Sequence, residues 1–410
     1  VRVPRFEPFA ALRYSPSLPL DDVSAPPYDV LSEGDVDALA ARHPDNIVAI
    51  DVPRESDGED RYEQAGRRLR QWVLDGVMVR DPAPAFTIYR MRFSDPAGGP
   101  ARETIGVVGA LEVVDEGAGG VLPHERTTPK AKSDRLDLTR ATHANLSPVW
   151  GLSLTAGLTD LLREPGHRVG HCTDEHGVLH SVERVDEPQR VGAIAAAVAA
   201  NPVLIADGHH RYAVSRTFRD EVRREMGTGT DAELTLTYVG ELVEDQLSID
   251  AIHRLYRGMA ADDLLRALST YFATDEAGTV DSTFAATVVD RGSLCLVRPD
   301  GTGVWLRPRP EQFTGVRDLD GALLEHAVAG IGNAGGVLDV AYQHGIVEVL
   351  QALASGGADA AVLIRPTGIT EIRRTADERL LMPPKSTFFT PKLRTGLVVR
   401  PLTLQTTVGT

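Results

Sequence analysis

The strongest constraint on this chain is a five-residue break, Asp207-Gly208-His209-His210-Arg211, set between two segments of different periodicity. Upstream, Pro202-Val203-Leu204-Ile205-Ala206 has the β-branched and aliphatic composition of a buried strand. Downstream, Tyr212, Val214, Phe218 and Val222 fall at a spacing that suits one helix face. A strand that passes through a glycine and turns into a helix leaves backbone N–H groups at the helix start, a ready site for phosphate or carboxylate. With two imidazoles and a guanidinium at the turn, an anion pocket is the leading expectation. A plain glycine loop with a solvated His pair is the alternative.

Composition narrows the classes. At 410 residues the chain exceeds one compact core, and two or three domains are expected. A formal net charge of −15 argues against sequence-independent binding of DNA or RNA, which needs many Lys/Arg–phosphate contacts. A local basic pocket for a small phosphorylated ligand remains compatible with it. Cys172 and Cys295 are far apart and lack CxxC spacing, so neither a disulfide framework nor a Cys-rich zinc site is expected. That usage fits a reducing cytoplasm. No stretch approaches the roughly 20 apolar residues of a membrane span, and Val1 to Phe6 lacks the apolar core of a signal peptide.

The pattern of elements predicts an α+β (mixed α/β) chain. Residues 1–84 read as an N-terminal α/β segment. Ser32 caps a helix over 33–42 with Asp35 in a variant of the capping box, 47–52 reads as a strand, and 60–75 as a helix ending at Gly76. Residues 85–256 form the central domain. Period-two alternation over 86–93 and a second strand over 103–114 predict a long hairpin. Further strands are expected over 149–154 and 234–242, with an Ala-rich helix over 190–200. Residues 257–410 alternate: helices over 262–272, 321–329 and 345–355, and strands over 293–297, 303–307, 339–342 and 360–364.

Three more clusters carry residues that packing does not need. Ala25-Pro26-Pro27-Tyr28-Asp29-Val30 is one, with a rigid connector as its plain reading. The second, residues 122–135, joins His124 and Glu125 to Arg126, Thr127, Lys130, Lys132 and Arg135. A carboxylate beside cations can act as base toward a hydroxyl while Lys and Arg hold phosphate oxygens; a solvated loop is the alternative. His124-Glu125 is no zincin motif, because Thr128 stands where the second His is required. The third cluster, Met382-Pro383-Pro384-Lys385-Ser386-Thr387, offers an ammonium and two hydroxyls after a fixed Pro-Pro, or else a structural strap. A transition-metal site would need three or four convergent ligands, which the spacing does not demand; Mg²⁺ carried by nucleotide phosphates needs fewer.

In order along the chain, PPYDV, LPHERT, ANLSP, ADGHHRY and MPPKSTFFTPKL resemble the bacterial and archaeal family known as domain of unknown function 1015. The DGHHR loop by itself resembles the phosphate loop of the ParB/sulfiredoxin superfamily, in particular its free-serine kinases. That resemblance implies a central ParB/sulfiredoxin-like mixed sheet flanked by N- and C-terminal α/β segments, with a nucleotide as cofactor. It matches Asp207, Gly208, His209, His210 and Arg211 to the phosphate loop, and makes Glu125, next to His124, the positional candidate for the base that takes a serine-like hydroxyl proton. Asp207 would orient the loop or hold Mg²⁺. Arg126, Thr127, Lys130, Lys132, Arg135, Lys385, Ser386 and Thr387 complete the expected phosphate-binding set, while Tyr28, Asp29 and Asn145 are the substrate-binding candidates.

The expected activity is a nucleotide-dependent kinase for a small hydroxylated metabolite such as free L-serine, using ATP or another nucleotide with Mg²⁺. A CTP- or ATP-binding regulatory switch and a phosphohydrolase would use the same pocket. The expected partners are a small-molecule substrate and a nucleotide, without a membrane or nucleic acid; a homodimer is left open.

Overall fold

Strand Val203–Asp207 lies inside a mixed sheet, between a parallel neighbour, Val121–Pro123, and an antiparallel one, Val149–Ser153. In this computed structural model, which describes residues 2–55, 60–94, 100–125, 132–332 and 338–404, the fold is mixed α/β. Two compact units separate. The first comprises Val1–Pro123, Thr127–Leu247 and Pro391–Thr410, and the second His124–Arg126 and Ser248–Thr390.

Among the described residues the sheet of the first unit has nine strands. From Val149–Ser153 it continues through Leu234–Glu241, Arg102–Glu112, Phe86–Phe93, Leu179–Val185 and His167–Thr173, with Phe6–Glu7 paired to Arg102–Glu112. The alternation over 86–93 does form one arm of a long hairpin, in register from Thr87↔Val108 to Phe93↔Arg102. Leu234–Glu241 is buried along its whole length, as a central strand covered on both faces must be. One face carries a core of Phe6, Phe86, Ile88, Val107, Val203 and Ile205, against which Ile194 and Val198 of helix Pro188–Val198 pack. A separate core gathers Leu12 and Tyr14 of strand Leu12–Tyr14 with Val36, Leu39, Leu69 and Trp72 of the N-terminal helices.

Local signals explain most element ends. Ser32 accepts the Asp35 N–H while the Asp35 carboxylate accepts the Ser32 N–H, the expected capping box for helix Glu33–Arg42. Asp60 caps helix Arg61–Leu74 by accepting the N–H groups of Tyr62 and Glu63. Residues 47–52 are a correction: Val48–Asp51 is a helical turn, not a strand. The β-branched run favours extension, but the Asn46 side chain accepts the Val48 N–H and donates to the Asp22 carbonyl, starting a turn. The expected helix over 262–272 is also shorter, ending at Leu268, and Phe272 opens an edge strand.

The second unit is an antiparallel six-stranded sheet in the order Phe272–Thr279, Thr302–Pro308, Leu294–Val297, Ala360–Leu363, Ile252–Arg257 and Asp339–His344. Alternation along Ile252–Arg257 sends Leu255 and Tyr256 to opposite faces. Tyr256 joins a core with Leu264, Leu268, Leu323 and Leu324, whereas Leu255 joins Val288, Val349 and Leu353. Helices therefore cover both faces. Among the described residues no helix is long and apolar enough to cross a membrane.

The first unit depends on one close helix–helix approach. A Cβ on Gly66 of helix Arg61–Leu74 would lie 2.2 Å from the carbonyl oxygen of Ala141 in helix Lys132–Thr142. In an open helix Gly→Ala is stabilising by roughly 1 kcal/mol. Here Gly66→Ala should instead destabilise by about 1–3 kcal/mol, because backbone must move. Urea melts of the two proteins decide the sign.

Candidate functional site

The loop at the end of strand Val203–Asp207 forms as its residues demand. Pairing with Val149–Ser153 slips by one residue between Ile205 and Asp207, a bulge that re-aims the Asp207 side chain. Gly208 then takes φ +81°, a left-handed conformation that suits glycine, and helix His209–Met226 begins at once. The Asp207 carboxylate accepts the Gly208 N–H at 2.7 Å and the Lys392 ammonium at 2.9 Å. Burial alone would raise the Asp207 carboxyl, but Lys392 and then Arg211 outweigh it and hold the group well below the usual carboxylate range.

Arg211 is folded back over the turn. A Cβ on Gly208 would stand 3.0 Å from its Nε and 3.3 Å from its Nη2, so the glycine also makes room for the guanidinium. Arg211 donates to the Pro148 carbonyl of the ANLSP segment, the only hydrogen bond of its side chain among the described residues. Its carboxylate neighbours are loose, Asp207 at 3.8 Å and Asp29 at 4.0 Å. Five donors and one hydrogen bond leave most of the guanidinium available to a ligand. His209 is buried and His210 half-buried in the first turn of the same helix.

The PPYDV segment reaches the same place. Tyr28 lies in a short 3₁₀ turn, Tyr28–Val30, and its ring stacks under the Arg135 guanidinium at 4.1 Å. Burial pushes the Tyr28 hydroxyl up to about 12, with Arg211 opposing. Arg135 donates to the carbonyl and carboxylate of Asp51 and to Asp134. Burial raises the Asp51 carboxyl even with Arg135 beside it. A cavity of about 40 Å³ lies between Asp51, Arg135, Asn145 and Arg211, room for about one water. Asn145 itself is spent on the fold: its oxygen accepts the Leu236 N–H at 3.1 Å and Arg400 at 3.4 Å.

The second unit brings together the other two motifs. Glu125 bridges in parallel to Met382, and the Met382 N–H donates to the His124 carbonyl at 2.8 Å. The Glu125 carboxylate accepts the Ser386 N–H at 3.1 Å, and His124 Nε2 lies 2.7 Å from Thr387 Oγ1. His124 is fully buried; Glu125 retains 16% side-chain exposure. Ser386 donates its hydroxyl to Pro383, closing a turn in which Lys385, exposed, takes φ +57°. A non-glycine residue in that region stores strain, which turns and functional sites retain when their surroundings over-determine it.

Each unit thus assembles its own set. Asp207, Gly208, His209, His210 and Arg211 stand with Tyr28, Asp29 and Arg135 in the first unit, and His124 and Glu125 with Ser386 and Thr387 in the second. Arg126, Thr127 and Lys130 lie outside the described residues, as does the side chain of Lys132. Sequence reasoning missed Asp51 and Lys392 as members of the first set. Lys392 was visible only as the last charge of the MPPKSTFFTPKL motif, and nothing near Asp51 marks it. Among the described residues no three His, Cys, Asp or Glu side chains are grouped to hold a metal. The Asp207 carboxylate is engaged by the Lys392 ammonium and the Gly208 N–H.

A family model described as "Protein of unknown function (DUF1015)" matches residues 6–322. The chain belongs to the DUF1015 family. No curated protein matches it. Among solved structures, it is similar to a conserved hypothetical protein from Pyrococcus furiosus at 11% identity and a TM-score of 0.38, over 68% of this chain and 91% of that one. A free serine kinase in complex with AMP aligns at 13% identity and a TM-score of 0.37, over 66% and 83% of the two chains. SbnI with a C-terminal truncation, from Staphylococcus aureus, aligns at 12% identity and a TM-score of 0.39, over 72% and 87%.

Lys392→Met should lower stability near neutral pH by about 1–3 kcal/mol, between the values for exposed and fully buried ion pairs. Because Asp207 sits below the carboxylate range, the pair's contribution is complete above the unfolded carboxyl value near pH ~4 and fades as pH falls through the folded value. The gap between wild type and K392M in urea melts should therefore narrow near pH ~3. A gap that stays constant would remove Lys392 as the counter-ion of Asp207.

Proposed function

We propose that the junction of strand Val203–Asp207 and helix His209–Met226 binds the phosphates of a nucleotide, and that the protein is a kinase for a small hydroxylated metabolite. The observation that carries the binding site is Arg211. It is largely withdrawn from water, lies against a glycine whose Cβ would crowd it, and makes one side-chain hydrogen bond. Beside it, the first-turn N–H groups of an 18-residue helix have no intrahelical partners, so a guanidinium and a helix start converge on the same point. Lys392 and Arg135 add positive charge, balanced in the unliganded protein by Asp207 and Asp51.

Phosphoryl transfer asks mainly for positioning and charge stabilisation, and that arrangement supplies both. Any Mg²⁺ would arrive on the nucleotide phosphates rather than on a preformed protein cage. The DGHHR resemblance makes free L-serine the first acceptor to try. Glu125 is proposed, on its motif alone, as the base for the acceptor hydroxyl.

Arg211→Ala should weaken nucleotide binding roughly tenfold or more, the loss of about 1.5–3 kcal/mol expected for hydrogen bonds to a charged group. Titration calorimetry with ATP, ADP and CTP measures it. Glu125→Gln should leave that affinity unchanged and remove formation of phosphorylated product in a panel of hydroxy-amino acids. Normal turnover by E125Q ends its role as base. If wild-type protein consumes no nucleotide with any acceptor, the kinase reading fails; free phosphate without phosphorylated acceptor would make it a hydrolase.

A further inference from the structure

Tyr89 and His180 stand on neighbouring strands, Phe86–Phe93 and Leu179–Val185, and both are buried, at 1% and 0% exposure. Alternation turns Tyr89 away from the core that holds Phe86 and Ile88. The two form the middle of a hydrogen-bonded chain. His180 Nε2 lies 3.2 Å from an Asp174 carboxylate oxygen, and His180 Nδ1 lies 2.9 Å from the Tyr89 oxygen. The Arg394 backbone N–H donates to that same phenol oxygen at 3.0 Å. The other Asp174 oxygen accepts the N–H groups of His176 and Val178. All of these residues belong to the first unit.

The ends of the chain fix its direction. An ionised carboxylate only accepts, so Nε2 carries a proton. With the ring neutral, Nδ1 accepts the Tyr89 O–H, and the phenol oxygen is left to accept from Arg394. Each link is then satisfied. A proton added at Nδ1 sets a donor against a donor. The Tyr89 hydrogen loses its acceptor, and among the described residues no second acceptor is bonded to it. The new charge also meets Arg394, which is 4% exposed and whose guanidinium is held by Ser24 and Glu175. Asp174 and Glu175, from the turn after strand His167–Thr173, favour the charged imidazole, and Arg394 from the returning segment opposes it. Cys172 on that strand and Tyr89 stay neutral, since burial pushes the thiol up to about 11 and the phenol well above its ordinary value. Burial prevails at His180 itself, which lies below the ordinary histidine value.

We propose that His180 is an acid-sensitive latch on residues 391–404: neutral, it holds the Tyr89 hydroxyl in the orientation that accepts the Arg394 N–H, and protonated, it lets the segment go at that point. The latch sits two residues from Lys392, the counter-ion of Asp207, and does not depend on the kinase reading. The closed form takes a proton less readily than an open one, in which His180 titrates near pH ~6.5. Opening is therefore indifferent to pH above that value. Below it, opening becomes easier by up to about tenfold per pH unit, until the closed-form value is reached.

Hydrogen exchange of residues 391–399 in the full chain, corrected for the intrinsic pH dependence of exchange, tests the latch. Protection is expected to be flat from pH ~8 to ~6.5 and to fall below that. His180→Asn puts a non-titrating carbonyl where Nδ1 stands and should flatten the profile. Asp174→Asn keeps an acceptor for the Nε2–H but removes a charge that favours imidazolium. It should deepen the fall, and it decides the matter if H180N fails to fold. Protection that does not fall in the wild type overturns the inference. So does a fall that persists in H180N or, where that variant does not fold, one that D174N leaves unchanged.

Discussion

The first unit depends on the return of the segment 391–404. It leaves the second unit at Thr390 and threads back through four polar anchors. Lys392 meets Asp207, and the Arg394 backbone N–H donates to the Tyr89 hydroxyl while its guanidinium holds Ser24 and Glu175. Val399 pairs with Leu12, and Arg400 donates to the Leu234 and Asp231 carbonyls. Each anchor fixes a group that the surrounding sheet would otherwise bury unsatisfied, the condition under which polar contacts specify one arrangement. The geometry at Asp207 is therefore set by residues 185 positions later in the chain as well as by its own loop.

That dependence explains what could be read from the residues alone. The strand–glycine–helix junction at Gly208 was legible because its cause is local: an aliphatic run, a residue able to take positive φ, and a 3.6-period apolar face. The Ser32–Asp35 capping box and the 86–93 hairpin arm were legible for the same reason. Residues 47–52 were not, since their β-branched content argues for a strand while Asn46, bonded back to Asp22, starts a helical turn. Lys392 and Asp51 were illegible as site residues because their partners are distant in sequence. Ser386 and Thr387, expected in one phosphate-binding set with the DGHHR loop, lie beside Glu125 and His124, and periodicity contains nothing that says so.

The basic residues also sort differently by structure than by sequence. In a run such as 126–135 every Lys or Arg looks equally fit to hold a phosphate. In the fold, several of the described arginines are spoken for. Arg13 grips Asp81 and Thr87, Arg219 holds the Val113 carbonyl with Asp115 and Asp220, and Arg135 serves Asp51 and Asp134. Such pairs offset the desolvation of both charges, and breaking one costs more than making it contributed. An arginine so occupied is a structural element, and a ligand would have to displace its partner.

Arg211 and Arg254 are the informative exceptions. Each is largely withdrawn from water, each donates one hydrogen bond to a backbone carbonyl, and each lies against a glycine whose missing Cβ leaves room for the guanidinium. Neither is held by a hydrogen-bonded carboxylate; around Arg211 the charges of Asp207 and Asp29 still outweigh burial and favour its charged form, whereas at Arg254 burial prevails. The two sit in separate units, are surrounded by different elements and share only their sparse hydrogen bonding. A buried donor set with unused hydrogen-bonding capacity is stabilised by an anion far more than an exposed lysine is, because the anion supplies charge and acceptors where water is excluded. Unmet hydrogen-bonding capacity in a buried side chain therefore singles out a candidate site more sharply than the number of cations in a motif does.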